Sequence, residues 1–177
     1  LFGLVMILLT LHWAQRALTA LFELPRQAKR WRLQQKERAA HGALLDAMAQ
    51  FMEGRFLRAR KSAELVLVRE KSLSDSGEIL EHAGALRCVA HILAAESAHA
   101  LHDKVTRQSH LDQALQEPAG GSAPLRQTLI EGSMLRAARW ALDDRDAAES
   151  LLWLDRLPLG VSRRTLAMRL RLKAARL

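Results

Sequence analysis

The stretch LLDAMAQFMEGRFLRARKSAELVL, residues 44–67, decides the fold. Ala40, Leu44, Met48 and Phe51 recur at helical spacing, Gly54 interrupts them, and Phe56, Ala59, Ala63, Val66 and Leu67 resume the same period. Two apolar stripes broken by one glycine describe an antiparallel helical hairpin.

Downstream the pattern repeats. The segment KSLSDSG, residues 71–77, is expected to be the loop to the next hairpin. Ile79, Ala83, Leu86, Ala90, Leu93 and Ser97 mark a long helix, a turn is expected near His102–Lys104, and Leu111, Ala114 and Leu115 mark its partner. EPAGGSAP, residues 117–124, is the clearest loop, and Leu129, Ile130, Met134, Ala137 and Ala141 begin a third pair. The turn DDRD, residues 143–146, leads to Ala147, Leu151, Leu154 and Leu157. Pro158 and Gly160 close that helix, and Ser162 suits the N-cap of a last one through Leu166, Leu170 and Leu177.

Aligning the second helices sets Ala59, Ala63, Val66 against Arg107, Leu111, Ala114 and Ala147, Leu151, Leu154. The offsets are 48 and 40 residues, longer than the 34 of a tetratricopeptide repeat, with the excess assigned to the two loops. The expected fold is therefore all-α: antiparallel hairpins over residues 39–177, stacked as a truncated tetratricopeptide-like solenoid, with an irregular helical bundle as the alternative. The absence of Tyr and the scarcity of β-branched runs agree with helices over strands.

The first 38 residues differ in kind. Leu1–Leu11 carries no charge and Arg16 is the first. This run is too short to span a bilayer alone. Residues 1–24 are expected to form the cytoplasmic half of a transmembrane helix whose start is missing, with a buried core helix or amphipathic lid as the alternative. Pro25 is expected to break or kink the chain. Residues 25–38 then bring Arg26, Lys29, Arg30, Arg32, Lys36 and Arg38 against a single Glu37. A basic cluster after an apolar run marks the cytoplasmic side and suits anionic lipid headgroups. The net charge of +8 suits an anionic neighbour. Nucleic acid is the weaker choice because only Trp31 interleaves with the cations.

No phosphate loop, paired zinc motif or nucleophile elbow is present, so an enzyme is not expected. One constellation stands out: Cys88, His91, His99 and His102 share a helical stripe with Ala95. Such donors ligate soft metals or haem iron. Four donors on one straight helix spread over about 21 Å, so only Cys88 with His91, or His99 with His102, could act together. Buried packing of the thiol and ordinary surface histidines are the plainer reading.

The segment from Leu24-Pro25 through the basic run to Glu53-Gly54, Phe56 and Ala59 resembles the HemY N-terminal family of proteobacteria. Residues 91–115 and 142–157 resemble that family's second and third helical pairs. The resemblance implies a bacterial inner-membrane protein with a cytoplasmic tetratricopeptide-like domain. It also implies a scaffold or adaptor in late haem biosynthesis whose protein partners are haem-pathway enzymes. A haem or porphyrin carrier and an adaptor unrelated to haem are the alternatives. No resident cofactor is expected; haem held by the Cys88, His91, His99 and His102 stripe is the alternative that the spacing of those residues leaves open.

Overall fold

A computed structural model describes the backbone of residues 2–77, 80, 82–116 and 123–177. Side chains are described at 3, 6, 9–13, 15, 16 and 31, and from 34 onward within those ranges except at 123. The chain divides into two compact units, Leu1–Ala39 and Ala40–Leu177. Among the described residues all regular structure is helical.

Helix α1 runs over Phe2–Met52. The break expected at Pro25 does not occur: the helix continues through it. Proline removes one N–H bond, and the strong helix formers Leu24, Arg26, Gln27, Ala28 and Lys29 around it keep the remaining ladder favourable. In the first unit Met6, Leu9, Leu11 and Trp13 are exposed. No helix among the described residues is long and apolar enough to cross a membrane.

The second unit stacks hairpins. Its first uses the end of α1 with α2 (Phe56–Asp75); the second pairs α3 (Ala83–Ala100) with α4 (Lys104–Gln116); the third pairs α5 (Ala123–Asp143) with α6 (Ala147–Asp155). The short α7 (Leu159–Ser162) leads to α8 (Thr165–Ala174), which packs on α5 and α6.

All three hairpins turn in the same way. Gly54, His102 and Arg145 hold φ of 76°, 59° and 63°. The N–H of the next residue reaches back five positions: Arg55 to Gln50 O at 2.8 Å, Asp103 to Ala98 O at 2.9 Å, Asp146 to Ala141 O at 2.8 Å. The left-handed residue itself donates three positions back in each case. This paired pattern is the Schellman terminus, which satisfies the helix's last carbonyls and reverses the chain.

The second helices start at the same distance from that turn, with Ala59, Arg107 and Ser150 donating to Arg55, Asp103 and Asp146 carbonyls. Counting from these starts, Ala59/Ala63/Val66, Arg107/Leu111/Ala114 and Ser150/Leu154/Leu157 are all buried. The third register expected from sequence, Ala147/Leu151/Leu154, is therefore wrong by three residues, and Leu151 is exposed. The capping geometry decides this: Asp146 Oδ1 accepts from Glu149 N at 2.8 Å and so starts α6 at Ala147. The corrected offsets are 48 and 43 residues. Twelve residues before each start stands a fully buried alanine, Ala47, Ala95 and Ala138.

Alanine at these positions lets helices approach closely. Ala47, Ala63 and Ala94 form the seam where α1, α2 and α3 meet, and Phe51 meets Phe56 edge-on at 5.4 Å across the first turn. A larger core built on Trp140, Trp153, Leu111 and Leu154 joins the later hairpins. Trp140 and Trp153 are the largest side chains buried in it and each removes a large apolar area from water.

Other expectations shift. Most of 71–77 is not a loop, because α2 extends to Asp75 with Leu73 buried. Ile79 and residues 117–122 lie outside the described residues. Ser162 ends α7, its hydroxyl donating to Leu159 O at 3.0 Å, and Arg164 takes the N-cap position of α8. Ala167, Leu170 and Ala174 face the core there, while Leu166 and Leu177 are exposed.

Candidate functional site

The first helices of the three hairpins line an apolar groove of about 260 Å³. Helix α1 contributes Met48, Phe51 and Met52; α3 contributes Val89, Ile92 and Leu93. The alanine seam produces it. Ala47 and Ala94 take the packed positions, which turns their neighbours Met48 and Leu93 toward the opening. Met52 is 80% exposed, an apolar side chain held out at the rim. Unbranched methionines adapt their shape to what enters, a property of surfaces that accept varied apolar partners.

One end of the groove is polar. Arg136 donates to Glu96 Oε1, and Trp140 Nε1 donates to Glu96 Oε2 at 3.1 Å. Glu96 thus fixes the indole of the core and the guanidinium at the groove edge at once. An apolar floor with one oriented charged pair can seat an apolar segment and fix its direction. Nothing in the groove pairs a nucleophile with a base.

A partly buried polar cluster, centred on the buried Arg107, lies by the second and third turns. Arg107 donates to Asp144 Oδ2 at 2.8 Å and to His99 Nδ1 at 2.8 Å. His99 therefore carries its proton on Nε2, from which it reaches Asp143 Oδ2 at 3.3 Å, while its ring stacks on Trp140 at 5.8 Å. Burial is the main cause that lowers the His99 pKa. Burial would raise Asp144, but the hydrogen bonds from Arg107 and Lys104 outweigh it and hold the carboxyl below its usual range.

The cysteine–histidine stripe does not converge. Cys88 and His91 are buried, whereas His102 is exposed in the left-handed turn beyond the end of α3. His91 faces His110 of α4, Nδ1 to Nδ1 at 3.0 Å. Glu64, 3.7 Å from His110 Nε2, favours a proton on that nitrogen and leaves His110 Nδ1 to accept from His91. Burial, then His110 and Arg87, lower the His91 pKa to about 4. So His91 bridges α3 to α4 and His99 bridges α3 to the third turn, each with a different partner. Among the described residues no group of three His, Cys, Asp or Glu could hold a metal ion.

Of the basic segment, Lys36 and Arg38 are exposed on α1, while the side chains of Arg26, Lys29, Arg30 and Arg32 lie outside the described residues. The groove residues were hidden in sequence because Met48 and Phe51 fit an ordinary core stripe. The signal was the alanine at every packed position beside them, which leaves the larger residue facing out.

Residues 1–102 match the family described as HemY protein N-terminus. No curated protein and no solved structure matches the chain.

Proposed function

The chain belongs to the HemY N-terminal family, and from that membership we propose that it is a membrane-associated scaffold that holds enzymes of late haem biosynthesis. Its part is binding rather than catalysis. The observation that carries this reading is the threefold repetition of one hairpin design, with equal turns and equivalent buried positions. We read the hairpins as successive units of a tetratricopeptide-like solenoid, in which each unit covers the apolar face of its neighbour and the first helices line the binding side. The Met48–Leu93 groove is on that side.

Membrane contact is assigned to the start of α1, where Met6, Leu9, Leu11 and Trp13 are exposed. The cations from Arg26 to Arg38 follow that run, and a basic stretch after an apolar one is what supports reading the hairpins as lying on the cytoplasmic face of a bacterial inner membrane.

Affinity purification from detergent-solubilised membranes tests the scaffold. Haem-pathway enzymes should co-purify in near-stoichiometric amounts and be lost when Met52→Asp and Leu93→Asp are introduced together. A coloured preparation with a Soret band and no enzyme partner would instead favour a porphyrin carrier. The same partners recovered from the double variant would remove the groove from the account.

A further inference from the structure

A second groove, of about 550 Å³, lies between α5 and the α8 region and shares no residue with the first. Its floor is apolar: Leu170 is buried and Leu142 half-buried. Leu166 and Leu177, 53% and 64% exposed, extend that apolar strip to the rim. Four cations surround it, Arg139 from α5 and Arg169, Lys173 and Arg176 from the other wall. The only side-chain carboxylate lining it is Asp143, already engaged by His99 at 3.3 Å and by Arg139 at 4.0 Å. Among the described residues no carboxylate pairs with Arg169, Lys173 or Arg176.

Three uncompensated cations around an apolar slot are electrostatically incomplete. We propose that the groove is a docking site for an acidic amphipathic helix of a partner protein. Leu166 and Leu170 stand one turn apart on α8, and Arg169 and Lys173 stand one turn apart beside them. An apolar ridge next to a basic ridge is the complement of a helix with leucine-type side chains on one stripe and carboxylates on the next, laid ridge into groove. The recess favours a peptide over a bilayer, because a bilayer meets apolar side chains that protrude, whereas Leu170 and Leu142 are set back between two helices. Nucleic acid is disfavoured because no aromatic side chain lines the slot for bases to stack on.

The test is fluorescence anisotropy on the detergent-solubilised full chain. The probe is a fluorescein-labelled helical model peptide with Leu at i, i+3, i+4 and i+7 and Glu on the flanking positions. Binding should weaken with added salt and should fall by about tenfold or more in Arg169→Glu/Lys173→Glu, as expected for reversing charges that face a charged partner. The variant Arg58→Glu/Lys61→Glu changes net charge equally on the exposed face of α2 and should bind as the parent does. A peptide with Ser in place of Leu should bind much more weakly. The proposal is overturned by no binding to the parent chain, by equal loss in both charge variants, or by equal binding of the Ser peptide. It is also overturned if only phosphatidylglycerol vesicles bind in an Arg169- and Lys173-dependent way. It stands apart from the haem-scaffold reading, since peptide binding by the purified chain is scored without any haem-pathway enzyme.

Discussion

Arg107, the first buried residue of α4, donates to Asp144 at 2.8 Å in the turn of the following hairpin. One hairpin earlier, Arg60 of α2 reaches Asp103 in the next turn at 2.9 Å. A guanidinium from α2 and one from α4 thus each tie down the turn of the following hairpin, which limits how far those hairpins can slide.

Arg107→Ala should destabilise the fold by about 1–3 kcal/mol, because it removes the closer of the two cations that hold the half-buried Asp144 and leaves Lys104, at 3.2 Å, as the other. The exposed Arg58→Ala should cost less than about 0.5 kcal/mol. Urea denaturation followed by circular dichroism measures both; equal midpoints would remove the tie from the account of stability.

The three equivalent alanines should respond alike to enlargement. Ala47→Leu, Ala95→Leu and Ala138→Leu each place a larger side chain at a fully buried site and should cost about 1–3 kcal/mol. Ala148→Leu, on the exposed face of α6, should be near neutral. A spread wider than the overpacking range among the first three would argue that the positions are not equivalent.

The left-handed turn positions should divide by residue type. A Cβ at Gly54 meets nothing within 4 Å, so Gly54→Ala is opposed by its φ of +76° alone, about 1–2 kcal/mol. Arg145→Gly and His102→Gly relieve the same strain and should stabilise by about 0.5–1 kcal/mol, the gain being trimmed by the greater freedom of glycine when unfolded. Thermal melts of the three variants decide the signs.

Acid should loosen the α3–α4 contact. His91 titrates near 4 when folded, below its ordinary 6.5, and burial lowers His110 as well. The fold favours the neutral rings, so this stability is complete above about pH 6.5 and drains away as pH falls toward 4. Asp144 and Asp103 are both held below the usual carboxylate value of 3.8, so their contribution disappears only in a lower window. Urea midpoints should therefore fall between pH 6.5 and 4.5 in the parent chain, and much less in His91→Phe/His110→Phe. An unchanged slope in that variant would assign the acid sensitivity elsewhere.

Helices, their order and the Gly54 hairpin were legible in the sequence, because apolar spacing and a helix-breaking glycine act locally. The second-hairpin set Arg107, Leu111 and Ala114 was also readable by alignment with Ala59, Ala63 and Val66, and all six are buried. The third set was misread because Leu151 is as apolar as Leu154, and composition alone does not say which faces inward. The Asp146 cap says so, by starting the helix at Ala147 rather than three residues earlier, which makes Ser150 and not Ala147 the counterpart of Ala59 and Arg107. The cysteine–histidine stripe was real as a spacing on α3, yet its members were claimed by different neighbours: His91 by His110, and His99 by Arg107 and Trp140.

By itself the sequence determined that this chain is helical, that it changes character after the basic run, and that its hairpins recur. Those properties depend on periodicity, charge and turn chemistry along the chain. Only the tertiary structure decided which apolar residues stay outside. A seam of alanines brings helices close enough that Met48, Met52 and Leu93 border an open groove, and packing of α8 on α5 leaves three cations around a leucine slot. Such surfaces arise from what neighbouring helices fail to cover, and that is settled by helices distant in sequence rather than by the residues themselves.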